Sequence, residues 1–169
     1  VEKGENEIAP PYLEEALRVK YLINDSQGVA ESNMALGNLF LNTKNYKTSK
    51  EYFTKSYEHF VQSNAKDGIV VSLIGLGKNA FGENNIPEAE KLLTDAYDTS
   101  LTLKRKGWVI KSSEALYDFY RQTKNFEKAY YFQETYRSLL DSVYSVENSQ
   151  SISILHSRIE GEKKQSEIK

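Results

Sequence analysis

Apolar positions along the chain fall at helical spacing, and the pattern returns every 40 residues. Between Gly28 and Asn42 the apolar residues are Val29, Met34, Leu36, Leu39 and Phe40. They do not alternate; they recur as one face of a helix does. Matching stretches run from Gly68 to Gly82 and from Gly107 to Gln122. A polar triplet closes each: Thr43-Lys44-Asn45, Glu83-Asn84-Asn85 and Thr123-Lys124-Asn125. A second apolar face follows at once. In the first repeat it is Tyr46, Ser49, Tyr52, Phe53, Ser56, Tyr57 and Phe60. In the second it is Ile86, Ala89, Leu92, Leu93, Ala96 and Tyr97, and in the third Phe126, Ala129, Phe132, Tyr136, Leu139 and Leu140. Each period therefore predicts two helices joined by a three-residue hinge.

Other landmarks keep the same step. Asn45-Tyr46, Asn85-Ile86 and Asn125-Phe126 are 40 residues apart (85 − 45 and 125 − 85), as are Ala35-Leu36, Gly75-Leu76 and Ala115-Leu116. The opening glycines are 40 and 39 apart (68 − 28 and 107 − 68), which predicts one residue lost in the loop before Gly107. The hinge asparagines are expected in the left-handed conformation that ends a helix. Pro87 suits the first turn of the next helix, where a missing N–H costs nothing. Small residues recur at Ser49/Ala89/Ala129 and Ala35/Gly75/Ala115, and Gly37 matches Gly77. Antiparallel helices pack closely only where a side chain is small. A glycine inside a helix costs about 1 kcal/mol relative to alanine, so Gly37, Gly75 and Gly77 require such a packing reason.

One period earlier, Ala9, Tyr12, Leu13, Ala16 and Leu17 match Ser49, Tyr52, Phe53, Ser56 and Tyr57. Pro11 to about Ile23 is thus predicted to be the second helix of an earlier repeat. With the start at Val1, this predicts a piece of a longer protein with more repeats upstream. After Ser138 serine becomes frequent, while Val143, Val146, Ile152, Leu155 and Ile159 keep helical spacing. The expected organisation is an array over residues 1–145, with a partial repeat at 8–24 and full repeats at 28–63, 68–104 and 107–142. Residues 146–169 follow as a capping or connecting helix. Ile152, Leu155 and Ile159 span less than two heptads, too few for a coiled coil.

Composition narrows the picture. Hydrophobic residues make up 39% of the 169 and prolines number three, which fits an elongated, mostly helical array with much surface. The net charge of −2 gives no electrostatic footprint for nucleic acid. Lys104, Arg105, Lys106 and Lys111 do cluster, and the simplest reading is a solvated loop between repeats. Without cysteine, disulfides and thiolate metal sites are impossible; this fits an oxidising, extracytoplasmic location, which is favoured over a cytoplasmic one. The longest apolar stretch, Gly68 to Gly77, is far short of the roughly 20 residues of a membrane helix.

The repeat residues resemble the tetratricopeptide family. Leu36-Gly37 with Phe40, then Ser49, Phe53 and Ser56, follow its pattern. So do Leu76-Gly77 with Ala80, Ala89, Leu93 and Ala96, and Leu116 with Tyr120, Ala129 and Tyr136. The period is 40 rather than the usual 34, as in longer-helix variants. Tyr117 replaces a small residue, Ser49 and Ser56 replace alanines, and the motif's final proline is absent. The resemblance implies an all-α, right-handed superhelix of seven or eight antiparallel helices. Leu139-Leu-Asp-Ser142 and Glu160-Gly-Glu-Lys-Lys-Gln-Ser-Glu-Ile168 are similar to the sensor regions of bacterial two-component signalling proteins, which implies a membrane helix and an output domain downstream.

The family resemblance also implies a concave groove lined by the first helix of each repeat. Its lining would be Glu31, Met34, Asn38, Leu41 and Asn42; Val71, Ile74, Lys78 and Phe81; and Lys111, Glu114, Asp118, Arg121 and Gln122. The first two groups are largely apolar and the third is of mixed charge, which suits an extended peptide with apolar anchors and a charged end. A clamp for a C-terminal carboxylate would have only Asn38, Lys78 and Arg121 to draw on.

Catalytic chemistry finds no support. His59 is followed by Val61 and Ser63 and His156 by Ile159 and Glu160, no His-Glu-x-x-His motif occurs, and Gly75-Leu-Gly77 sits inside a helix rather than after a strand. Glu14-Glu15 and the Asn24-Asp25-Ser26 triplet read as ordinary surface. Most of the 12 tyrosines and seven phenylalanines fall on buried positions, and one of Tyr130 and Tyr131 is expected to be exposed. The expectation is a non-enzymatic module without cofactor or metal that binds a protein or peptide. The alternative is an assembly module that forms a homodimer through its C-terminal helix.

Overall fold

The computed structural model describes residues 5–143 and 145, with side chains from residue 11 onward. The chain forms an all-α array in which each helix packs against its neighbours. The helices are α1 Glu5–Leu22, α2 Ser26–Asn42, α3 Tyr46–Gln62, α4 Lys66–Gly82, α5 Ile86–Thr102 and α6 Lys106–Gln122. A seventh, α7, occupies residues 126–143. This gives seven helices among the described residues. The expected helix at 146–169 lies outside them.

From α2 to α6 every helix has 17 residues, about 25 Å of rise. Their starts, 26, 46, 66, 86 and 106, are 20 apart. No residue is therefore lost before Gly107: α6 begins 40 residues after α4, and the register mate of Gly68 is Trp108. The first helices also start at Ser26, Lys66 and Lys106, up to two residues ahead of Gly28, Gly68 and Gly107. At the other end of the chain α1 begins at Glu5 rather than Pro11.

Hinges with one residue at positive φ each keep this step. The positive-φ residues are Asn24, Lys44, Asn64, Asn84, Lys104 and Lys124, again 20 apart. At the first full hinge, Lys44 N–H donates to Leu41 C=O at 3.0 Å and Asn45 N–H to Phe40 C=O at 2.8 Å. This pair of bonds is a Schellman motif, and it satisfies carbonyls that the helix end leaves open. The recurrent Asn45, Asn85 and Asn125 are consequently not the left-handed residues. They are the next residue along and cap the following helix, their side chains accepting from Thr48, Glu88 and Lys128 N–H. Asp25 caps Gly28 N–H in the same way at 2.9 Å.

Between α3 and α4 the core is a row of rings set against a row of glycines. Tyr46, Phe53 and Phe60 are seven residues apart on α3, and Gly82, Gly75 and Gly68 are seven apart on α4. A methyl group on any of these glycines would overlap the facing ring. Each facing pair of residue numbers adds to 128, as does Ser56 with Ser72, whose hydroxyls lie 3.2 Å apart. That constant is the signature of an antiparallel register. Phe53 also lies against Gly37 of α2, where a Cβ would sit 2.9 Å from the ring. Gly77 likewise receives Leu93, 2.7 Å from where its Cβ would be. The glycines that seemed costly in a helix thus have their packing reason.

Further along, Leu93, Leu116, Phe119 and Tyr120 form a buried cluster with Ala80, Ala89, Ala115 and Ala129. Phe132 stacks on Tyr120 at 5.7 Å and meets Tyr97 edge-on at 5.3 Å. Ion pairs tie successive repeats at a separation of 38 residues: Lys50 with Glu88 at 3.4 Å, Lys128 with Glu90 at 2.8 Å, and Arg105 with Asp67. Exposed pairs are worth about 0–1 kcal/mol each, so they fix register more than they stabilise. Glu90 also accepts from Tyr120 Oη at 2.8 Å, and these two donors hold its carboxyl below the usual range.

Two expectations fail at the far end. Tyr130 and Tyr131 are both exposed, at 65% and 59%, and Phe126 is 67% exposed instead of buried. Its register mates differ because they are covered: Tyr46 lies against Gly82 of the following helix, and Ile86 packs on the cluster. Among the described residues no helix follows α7.

Two glycine substitutions should have opposite effects. Gly75→Ala must displace the Phe53 ring and should destabilise by about 1–3 kcal/mol. Gly107→Ala meets nothing within 4 Å and should stabilise by about 0.4–1 kcal/mol. Urea midpoints of the two variants against the parent chain check both signs.

Candidate functional site

The first helices of the three repeats, α2, α4 and α6, lie side by side, since α4 packs against both α2 and α6. Their outward faces form one wall, and every residue expected to line a groove lies on it with some exposure. Glu31, Asn38, Asn42, Lys78, Lys111, Glu114, Arg121 and Gln122 are exposed. Met34, Leu41, Val71, Ile74, Phe81 and Asp118 are half-buried.

Two hollows interrupt this wall. The larger encloses about 730 Å³, and Glu31, Met34 and Val71 line it together with Phe60, Asp67, Gly68, Arg105 and Trp108. The smaller, about 130 Å³, gathers Lys78, Phe81, Asp118 and Gln122 around Leu93, Ala115 and Phe119. Asn38, Leu41, Asn42, Ile74, Lys111, Glu114 and Arg121 line neither. Some of these have local partners. Asn38 Nδ2 donates to Met34 C=O at 3.1 Å. Arg121 lies 3.6 Å from Asp118 and over the Tyr117 ring. Lys111 Nζ stands 4.8 Å from the centre of the Trp108 ring, at the edge of the larger hollow.

The two hollows follow a common rule. Met34, Val71 and Trp108 are 37 residues apart, not 40, and so are Glu31, Gly68 and Arg105. Lys78 and Ala115, and Phe81 and Asp118, repeat that step in the smaller hollow. Each move to the next first helix is therefore a move back by three residues, about 4.5 Å or nearly one turn. The groove crosses the helices obliquely. Taking residues at equal height, 40 apart, finds Met34 and Val71 but not Trp108 or Arg105. Their signal was present in the sequence only as a diagonal.

Charge in the larger hollow is mixed. Arg105 pairs with Asp67 across the α4–α6 boundary. The second oxygen of Asp67, Oδ1, is enclosed and accepts no hydrogen bond. Glu31 accepts from Gln27 Nε2 at 2.9 Å. His59 also lines the hollow, its Nδ1 3.3 Å from Ser26 Oγ. The basic run at 104–111 does not act as one patch. Lys104 occupies the left-handed hinge position, Arg105 binds Asp67, Lys106 donates to Ser142 Oγ at 2.6 Å, and Lys111 covers Trp108. Among the described residues no group of three or more His, Cys, Asp or Glu could hold a metal ion, and no helix is long and apolar enough to cross a membrane. His156 lies outside them.

No protein-family model matches the chain, and a search of curated proteins gives no match.

Trp108 is the chain's single tryptophan, so its emission reports on the hollow alone. With Lys111 over the ring and Lys66 and Arg105 among the lining residues, iodide should quench it more efficiently than caesium. The reverse order would place Glu31 and Asp67, not the cations, nearest the indole.

Proposed function

We propose that this chain is a non-enzymatic repeat module of the tetratricopeptide kind that binds a protein or peptide along the face made by α2, α4 and α6, as the sensor or scaffold region of a bacterial signalling protein. The observation that carries the binding role is the larger hollow. It is open, spans all three first helices, and combines an apolar floor of Met34, Val71 and Trp108 with charges of both signs. Recognition surfaces on repeat arrays are built this way, each repeat adding one strip. The signalling assignment draws on the likeness at 139–142 and 160–168, the latter outside the described residues.

Peptides selected from a random display library against the full chain test the reading. Trp108→Ala, and Phe81→Ala combined with Arg121→Glu, should each weaken a selected peptide about tenfold or more, roughly 1.4 kcal/mol. Lys91→Glu, on the opposite helix layer, should leave it unchanged. Equal affinities across all variants would place binding elsewhere.

A second reading, assembly of copies of this chain, has its own observation in the exposed rings of Phe126, Tyr130 and Tyr131 on α7. Light scattering separates the possibilities. A dimer that persists when the chain is cut after Ser145 but is lost on Phe126→Lys uses α7, whereas a dimer lost on the cut uses residues 146–169. A monomer at every concentration removes this reading.

A further inference from the structure

A further hollow lies in the wedge between α1 and α3, which both pack on α2. It encloses about 520 Å³, within the range of about 300–1,000 Å³ usual for small-molecule sites. Val29 and Asn33 of α2 line it from one side, Tyr21 from the end of α1, and Lys55, Glu58 and Gln62 from α3. His59 borders both this hollow and the larger one in the groove.

Asn33 is out of place by packing rules. It is 2% exposed, and its Oδ1 is enclosed without a donor. Its Nδ2 likewise has no partner in the chain, but it is not sealed, and it is the polar atom that Asn33 turns to the hollow. The slot does not call for an amide. Its register mates are Leu73, which is 5% exposed, and Ser113 (73 − 33 and 113 − 73 are both 40). A buried polar group without a partner costs stability, and native folds break such packing rules chiefly at functional sites. The wedge does not call for polarity either. Its counterpart between α5 and α7 has Leu101, Val109 and Leu139 where this one has Tyr21, Val29 and His59.

The lining selects the ligand's chemistry. Lys20 is bound to Asp25 at 2.7 Å, which leaves one cation, Lys55, and one anion, Glu58, among the lining residues. Charges so balanced give an ion no net hold. Val29 is the one aliphatic residue there, so a lipid chain or an apolar anchor finds little to bury against. What remains is amides and hydroxyls: Asn24, Asn33 and Gln62 with Ser26 and Tyr21. Both kinds of group donate as well as accept, and a ligand hydroxyl does the same. Tyr21 is 58% exposed, and its ring can take the C–H face of a pyranose while the sugar hydroxyls meet the amides.

We infer that this wedge binds a neutral mono- or disaccharide, with Asn33 Nδ2 donating to a sugar hydroxyl and the sugar ring lying on Tyr21. The site is separate from the peptide groove and does not rest on it.

The test titrates the full chain with neutral aldohexoses, aldopentoses, N-acetylhexosamines and their disaccharides, and with a uronic acid and a sugar phosphate as charged counterparts. The chain has two histidines, so His156→Gln assigns the His59 ring-proton NMR signal by elimination. A neutral sugar should shift that signal saturably and leave the emission of Trp108, in the groove, unchanged. Asn33→Leu should raise the urea midpoint yet weaken the sugar about tenfold or more. Tyr21→Ala and Gln62→Ala, both at exposed positions, should each weaken it about fivefold. If no neutral sugar moves the His59 signal, or the charged counterparts alone do, the inference falls. It also falls if the sugar moves Trp108 emission or binds Asn33→Leu with parental affinity. Should Asn33→Leu fail to fold, the two exposed variants decide, and parental affinity in both overturns the site.

Discussion

Everything in this array depends on how closely α3 and α4 approach, and that distance is set by rings lying on glycines. Tyr46, Phe53 and Phe60 occupy the space that side chains at 82, 75 and 68 would need. Burying a phenylalanine fully is worth about 1.5–3 kcal/mol, whereas a helical glycine costs about 1 kcal/mol. The exchange is favourable only because each ring meets a bare backbone. Phe53 is wedged on both sides, against Gly37 and Gly75, so one side chain fixes the spacing of α2, α3 and α4 together. The central wall of the groove is therefore a rigid body, bounded by packing that tolerates little volume change.

Uniform hinges carry this geometry forward. Each uses one left-handed residue, asparagine or lysine, and five of the six close two carbonyls with the same pair of bonds, while at Lys104 the first bond of the pair, to Leu101 C=O, forms and Ser100 C=O accepts from Leu103 N–H instead. A lysine there is strained by about 1–2 kcal/mol, yet the position does not move, because the flanking helices are pinned by the core. Since every step is alike, the offset between successive first helices is alike as well. An oblique groove with a 37-residue step follows from that repetition. It is a property of the array before it is a property of any ligand.

Much of this was legible in the chain. The period, the paired helices, the close-packed glycines and, among the described residues, the absence of strands all follow from spacing, because helical periodicity and small-residue slots are local signals. Three things were not. Asn45, Asn85 and Asn125 carry residue types that serve equally as left-handed hinges or as N-caps, and only the backbone distinguishes them. Gly107 imitates Gly28 and Gly68 one place out of register, since a glycine facing no ring leaves no mark in sequence. A 40-residue period selects equal heights on each helix, which include Met34, Val71 and Phe81 but not Trp108. Stagger between helices is a three-dimensional quantity that a repeat period does not contain. Phe126 has the residue type of a core position, yet it lacks the cover that Tyr46 has from Gly82 and Ile86 from the buried cluster.

The placement of Trp108 follows from the same packing rule, inverted. In the α3–α4 register, position 60 faces position 68: a large ring against a glycine. Forty residues on, the matching positions are Ser100 and Trp108, with the large side chain now on the first helix. The pair grows overall, since serine exceeds glycine and tryptophan exceeds phenylalanine, and a close-packed interface does not take up that extra volume without strain. The exchange moves bulk from the second helix to the first. Ser100 is free to bond Ser112 at 2.9 Å in the interior, while the indole, too large for the slot that Gly68 leaves, stays half-buried on the groove side under Lys111. One swap between two repeats thus puts an indole at one end of the groove and the Phe60 ring over Gly68 at its centre, and makes three similar repeats into an asymmetric surface.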